Sequence, residues 1–244
     1  MILALAKLTF RECNRRAFPY AATAAFTVLA LLSALFMGYS FGEEGAQARD
    51  IALSAVFMGG LAQAIIVGSS LVRADGERST IGLLLATPLS PGRYIIGRFL
   101  GLLAATLLVA LAVLGAVSLL FLLAPPHTGH GELVPHPLLH PGMWGSLCSA
   151  ALLLMVFAAA AVAASGAFNS AAAPLVLFVL FLAGSLHPVS AGLQFMPDWT
   201  LFGIDQSAQP EWPLLLAYSG LLSAFFLVLA FIVLHLKPPD TVRG

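Results

Sequence analysis

Arg73, Asp75, Glu77 and Arg78 put four charges of mixed sign within six positions, directly before the hydroxyls of Ser79 and Thr80. An apolar run follows at Ile81, Gly82, Leu83, Leu84 and Leu85, and then a break at Thr87-Pro88-Leu89-Ser90. A charged patch joined to a short amphipathic stretch is a surface for docking a partner. Ser79 or Thr80 is placed to start a short helix with Ile81, Leu84 and Leu85 on one side, and Thr87-Pro88 to end it. Three other groups of residues could carry chemistry. Ser165 and His235 pair a nucleophile with a base, but the neighbours of Ser165 are Ala and Gly, which offer no polar oxyanion donors. His127, His130, His136 and His140 offer imidazole for copper or zinc, at irregular spacing broken by the five prolines from Pro125 to Pro141. Cys13 and Cys148 lie in no CxxC or Cys/His zinc pattern, so no metal site and no disulfide are expected.

The elements that must position these residues are apolar throughout. Of 244 residues, 60% are hydrophobic and 9% charged, against about a quarter charged in ordinary soluble domains. That much apolar surface calls for a bilayer, and an all-α polytopic membrane protein is expected. Residues 2–16 are expected to form an interfacial amphipathic helix, with Ile2, Ala6, Phe10 and Cys13 on its apolar face and Lys7, Arg11, Asn14 and Arg15 on another. Six spans are expected at about 18–37, 51–72, 94–123, 143–164, 171–186 and 213–236, in one transmembrane domain covering 1–244. The fourth and fifth come from a stretch of 65 residues, 133–197, that lacks Asp, Glu, Lys and Arg and is too long for one span of ~20 residues. Ser165-Gly166 and Asn169-Ser170 mark the turn between them. Ser90-Pro91 pairs a capping residue with proline at the first helical position and should launch the third span. Gly97-x-x-x-Gly101, near its start, should permit close helix packing.

Charge placement orients the chain. With the N-terminus inside, every one of the eleven Lys and Arg residues except Arg49 falls on the cytoplasmic side. Glu43, Glu44, Asp50, Glu132, Asp198, Asp205 and Glu211 fall outside. This bias predicts N-in, C-in and an even number of spans. No expected span has an ionisable residue near its centre, which argues against a proton-coupled carrier. No G-x-x-x-x-G-K-[ST] loop is present, so ATP is not expected to bind to this chain. No basic run suggests nucleic acid. Active transport would need a separate motor.

The run Asp75-Gly76-Glu77-Arg78-Ser79-Thr80-Ile81-Gly82-Leu83-Leu84-Leu85-Ala86-Thr87-Pro88-Leu89-Ser90, followed by Gly97-Arg98-Phe99-Leu100-Gly101, resembles the first cytoplasmic loop of ABC transporter permeases of the type-2 exporter family. This chain departs from the family pattern with Thr80-Ile81-Gly82 in place of Gly-Thr-Leu, Leu83 in place of a frequent Glu, and Arg98 in place of Lys. Pro197-Asp198-Trp199-Thr200-Leu201-Phe202, with Asp205, is similar to the outer loop of permeases related to multicopper-enzyme maturation. The resemblance implies a non-enzymatic permease in the inner membrane of a prokaryote, paired with a second copy or a paralogue among membrane lipid. It also implies cytoplasmic ATPase subunits that hold ATP and Mg and push on a coupling helix between spans two and three, within 73–90. A membrane anchor or assembly factor that moves nothing, and an intramembrane serine protease using Ser165 and His235, are the other readings.

Overall fold

The computed structural model describes residues 1–35, 44–77, 90–123, 136–139, 142–169, 171–185 and 212–236. Among these the chain is helical and contains no strand. Helix α1 is Ile2–Asn14, α2 Phe18–Leu35, α3 Glu44–Gly68, α4 Leu71–Glu77 and α5 Pro91–Leu123. A short 3-10 turn at Pro137–Leu139 precedes α6 Met143–Ala167, α7 Ala172–Ser185 and α8 Trp212–Leu236. Four of them, α3, α5, α6 and α8, are long and apolar enough to cross a membrane. Helices α1 and α2 meet at a bend of 59° and pass the same test as one broken span, while α7 is a shorter apolar helix. This is a helical membrane protein.

Small residues fix the relative directions of the helices. Gly60 on α3 lies against both Ala110 of α5 and Leu154 of α6, and Gly68 lies against Leu102 and Ala161. So α5 runs antiparallel to α3, and α6 runs parallel to it. Gly145 faces Trp212 and Gly166 faces Val233, which makes α8 parallel to α6. The connection between two parallel helices must bring the chain back along the bundle, and α7 lies in that connection. Its 14 residues rise only ~21 Å, against a hydrocarbon thickness of ~30 Å. The 33 residues of α5 rise ~50 Å, so one end projects beyond the apolar layer.

Helices α3 and α6 form the enclosed centre. The alanines of α6 from Ala158 to Ala161, with Ala163 and Ala164, are all buried, and side chains this small let neighbouring backbones approach closely. Helix α5 buries one stripe, through Ile95, Leu102, Ala105, Val109, Val113, Val117 and Phe121, at the three- and four-residue spacing of a helix face. Helix α8 packs on α6 and leaves Leu221, Phe225, Val228 and Ile232 exposed, as expected of a lipid-facing rod.

The boundaries depart from expectation at α3. It starts at Glu44 rather than residue 51, so Arg49 and Asp50 lie in its first turns, and Arg49 is buried. It stops at Gly68, where Ser69 Oγ donates to Ile66 O (3.3 Å) and Ser70 Oγ to Val67 O (3.0 Å). Serine hydroxyls bonded back to carbonyls compete with the helical ladder and bend the rod. Helix α4 restarts from Ser70, whose carbonyl accepts from Ala74 N–H at 3.0 Å.

Interpolated between the glycine contacts, the helix registers bring Gln63 of α3, Thr106 of α5 and Ser223 of α8 to one depth, within about one residue's rise of 1.5 Å. All three are buried, and the Gln63 amide, Thr106 Oγ1 and Ser223 Oγ have no hydrogen-bond partner among the described residues. A buried polar atom without a partner costs about 1–3 kcal/mol. Gln63→Leu, similar in size and fully apolar, is therefore expected to raise the unfolding free energy in detergent by about 1–2 kcal/mol. A lower unfolding temperature for this variant would mean that the amide is satisfied in the fold.

Candidate functional site

The only acidic residue of α1, Glu12, and the buried Asp75 of α4 meet at Arg98, about two turns inside α5. A guanidinium at this depth cannot stay unpaired, and the fold supplies its anions from two other helices. Arg98 Nη1 donates to Glu12 Oε2 at 2.8 Å and to Thr9 Oγ1 at 3.1 Å. Its Nη2 donates to Asp75 Oδ2, which also accepts from the Tyr94 hydroxyl. The Tyr94 ring lies 5.8 Å from the guanidinium carbon and adds a cation–π contact. Arg98 is 2% exposed and Asp75 3%. So little water reaches the pair that each charge depends on its partner.

Close approach of α1 makes this possible. A Cβ on Gly97 would come within 2.7 Å of Leu5, and one on Gly101 within 2.5 Å of the Ala6 carbonyl and of Thr9 Cβ. The two glycines flank Arg98 and let α1 press against α5, bringing Thr9 and Glu12 within reach. The spacing expected to allow helix packing does so, with α1 as its partner. The buried stripe of α1 is Leu5, Thr9 and Cys13, rotated from the expected face of Ile2, Ala6, Phe10 and Cys13. The difference has a physical cause: α1 rests on protein, where Thr9 satisfies its hydroxyl through Leu5 O (2.9 Å) and Arg98.

A second tie lies nearby. Arg16 Nη1 donates to Ser70 Oγ at 2.7 Å, joining the corner after α1 to the break between α3 and α4. Cys13 sits among Arg16, Glu12 and Arg98, and burial pushes its thiol up to about 11 from 9.0. The neutral thiol is the form the fold favours, so this contribution to stability is complete below pH 9.0 and is lost as pH rises toward about 11. Helix α4 also packs on α6, where Val72 lies near Gly166.

Asp75, expected at a docking surface, thus points inward and belongs to the chain's own ion cluster. Ser90 is exposed and its carbonyl accepts from Tyr94 N–H at 3.2 Å, as the expected helix start requires. Arg78, Ser79, Thr80, Ile81, Gly82, Leu83, Leu84, Leu85, Thr87, Pro88 and Leu89 lie outside the described residues, as does the side chain of Glu77. So do His127, His130, His140 and His187. His136 is occupied: its Nε2 lies 3.1 Å from Ser118 O, and its Nδ1 accepts from Leu138 N–H at 3.3 Å. No group of three or more metal-ligating side chains occurs among the described residues. Ser165 Oγ donates to Val162 O at 2.8 Å, while His235 stacks on Phe231, so no described hydrogen bond joins nucleophile to base. Cys13 is buried and Cys148 exposed, both as free thiols.

Sequence reading missed the roles of Thr9, Glu12 and Tyr94. The available signal was Arg98 itself, a cation inside an apolar helix between two glycines, with one acid on an otherwise basic α1. No protein-family model matches the chain, and no curated protein matches it either.

Removing one partner from a buried pair strands the other charge. Asp75→Asn is expected to cost about 3–5 kcal/mol of unfolding free energy. In a Cys148→Ser background the same change should open Cys13 to maleimide at neutral pH, where the parent stays unlabelled. Full protection of Cys13 in the variant would show that α1 does not depend on the cluster.

Proposed function

We propose that the chain is the membrane-spanning permease subunit of an ATP-driven exporter of the ABC type-2 kind. It would cross the membrane six times with both termini in the cytoplasm of a prokaryote, and work as a homo- or heterodimer. The observation that carries the reading is the junction at Arg98. It ties the segment leading into 73–90 to α1 and α5 by charge, and to α6 by packing. A loop held this way passes a sideways push to several membrane helices at once. The shared location of α1, α4 and the C-terminal ends of α6 and α8 at one end of the bundle supports an even number of crossings. The resemblance of residues 75–90 and 97–101 to the family's first cytoplasmic loop supports the partner assignment.

In this scheme a separate ATPase carries ATP and Mg, and its closure moves the 77–90 segment. Asp75 acts from inside as the anchor of that segment to Arg98. Glu77, Arg78 and the apolar residues Ile81, Leu84 and Leu85 remain the docking residues. The long apolar helices carry no central charge because the work comes from nucleotide and not from an ion gradient.

Two measurements test the proposal. A cytoplasmic ATPase should copurify with the full-length chain, and the double variant Glu77→Ala with Arg78→Ala should lower stimulation of that ATPase at least fivefold at unchanged unfolding temperature. A membrane anchor without a motor would purify alone. A double variant with full stimulation would remove the coupling role from these residues.

A further inference from the structure

We infer that the groove between α2 and α5 holds one acyl chain of an anionic phospholipid from the leaflet on the α1 side, with its phosphate held by the cations of α1. The groove encloses about 530 Å³ and is open along one side. Asn14 and Tyr20 stand at its α1 end, and it continues past Thr23 and Thr27 along a floor that includes Ala112 and Ala116 of α5. From Tyr20 to Val28 it follows α2 for ~12 Å, a length suited to part of a hydrocarbon chain.

Its wall is drier than its residue types suggest. Thr23 Oγ1 donates to Pro19 O at 2.9 Å and Thr27 Oγ1 to Thr23 O at 2.7 Å, so both hydroxyls are occupied within α2. What remains for an occupant is methyl and methylene surface, which suits an acyl chain. At the mouth the surface changes character. Lys7, Arg11 and Asn14 recur at four and three residues, so one face of α1 carries both cations beside a residue that lines the groove. Lys7, Arg11 and Arg15 are exposed and make no ion pair among the described residues. The one acid of α1, Glu12, is turned inward to Arg98. The mouth thus has three exposed cations, and the one acid of α1 is committed to Arg98, which favours an anionic headgroup over a zwitterionic one. Tyr20, 70% exposed at this boundary, has an apolar ring and a polar tip suited to the same level.

Native mass spectrometry of the full-length protein, given phosphatidylglycerol and phosphatidylcholine of equal chain length, tests the site. One phosphatidylglycerol is expected to stay bound with about tenfold preference, as three cations near a phosphate permit. Lys7→Gln, Arg11→Gln and Arg15→Gln together should abolish the preference while retaining phosphatidylcholine. Ala112→Leu with Ala116→Leu should fill the groove and release both lipids. Should that variant fail to fold, a phosphatidylglycerol bearing a photoreactive acyl chain must label α2 or α5 of the parent. Equal retention of the two lipids, labelling elsewhere, or disulfide crosslinking of Ala112→Cys to a second copy would each overturn the inference.

Discussion

A guanidinium buried about two turns inside an apolar helix is the constraint from which the rest of this structure follows. Arg98 reaches neither water nor a partner on its own helix except the Tyr94 ring. It therefore recruits Glu12 from α1 and Asp75 from α4. Buried ion pairs often add little net stability, because taking charges out of water offsets their attraction. They do make wrong arrangements costly. A register of α1 that missed Glu12, or a turn of α4 that pointed Asp75 outward, would leave a charge uncompensated. Three helices are thus held in one mutual arrangement by a few hydrogen bonds.

Elsewhere the side-chain hydrogen bonds between elements are few among the described residues, His136 to Ser118 O being one of them. The centre, built on α3 and α6, is apolar side chains against apolar side chains, with Ala158–Ala161 letting neighbours close in. Lipid tails are as apolar as the core, so such contacts hold helices together mainly by the fit of their surfaces. The polar atoms at mid-depth, on Gln63, Thr106 and Ser223, have no partner among the described residues and fix no arrangement. Directional ties therefore concentrate at the end where α1, α4 and the start of α5 meet. That end is specified more tightly than the middle.

Much of this was legible in the sequence, and the failures share one cause. Helical class, the start at Ser90-Pro91 and the close packing at Gly97 and Gly101 depend on local chemistry, which a sequence displays. The turn after α6 was placed near Asn169, whose Oδ1 indeed accepts from Ala172 N–H at 2.6 Å, though α6 runs on to Ala167 past Ser165-Gly166. The direction of Asp75 was not legible. A carboxylate near the end of an apolar stretch reads as solvated until its cation is known, and Arg98 lies 23 positions further on. The buried face of α1 was misread for the same reason. Thr9 counts as polar in a periodicity and as core once Arg98 and Leu5 O have used its hydroxyl. The start of α3 was drawn at the first unbroken apolar residue, yet Arg49 folds into the helix and is buried.

The joints of α4 differ in kind, and the difference sets where a displacement would go. Towards α3 the chain passes through Ser69 and Ser70, where hydroxyls replace part of the ladder and the rod is already broken. Towards α5 the link is ionic and buried, through Asp75 and Arg98, with Tyr94 bracing the carboxylate. Towards α6 it is packing, Val72 against the turn around Gly166. A bent serine joint yields at low cost, because no buried charge is exposed when it flexes. The ionic joint resists, because separating it strands two charges in a medium that solvates neither. Sideways motion of α4 therefore carries α5, and with it α1, more readily than it carries α3. The N-terminal helix, held to α5 across two glycines and to Ser70 by Arg16, moves as part of the same body.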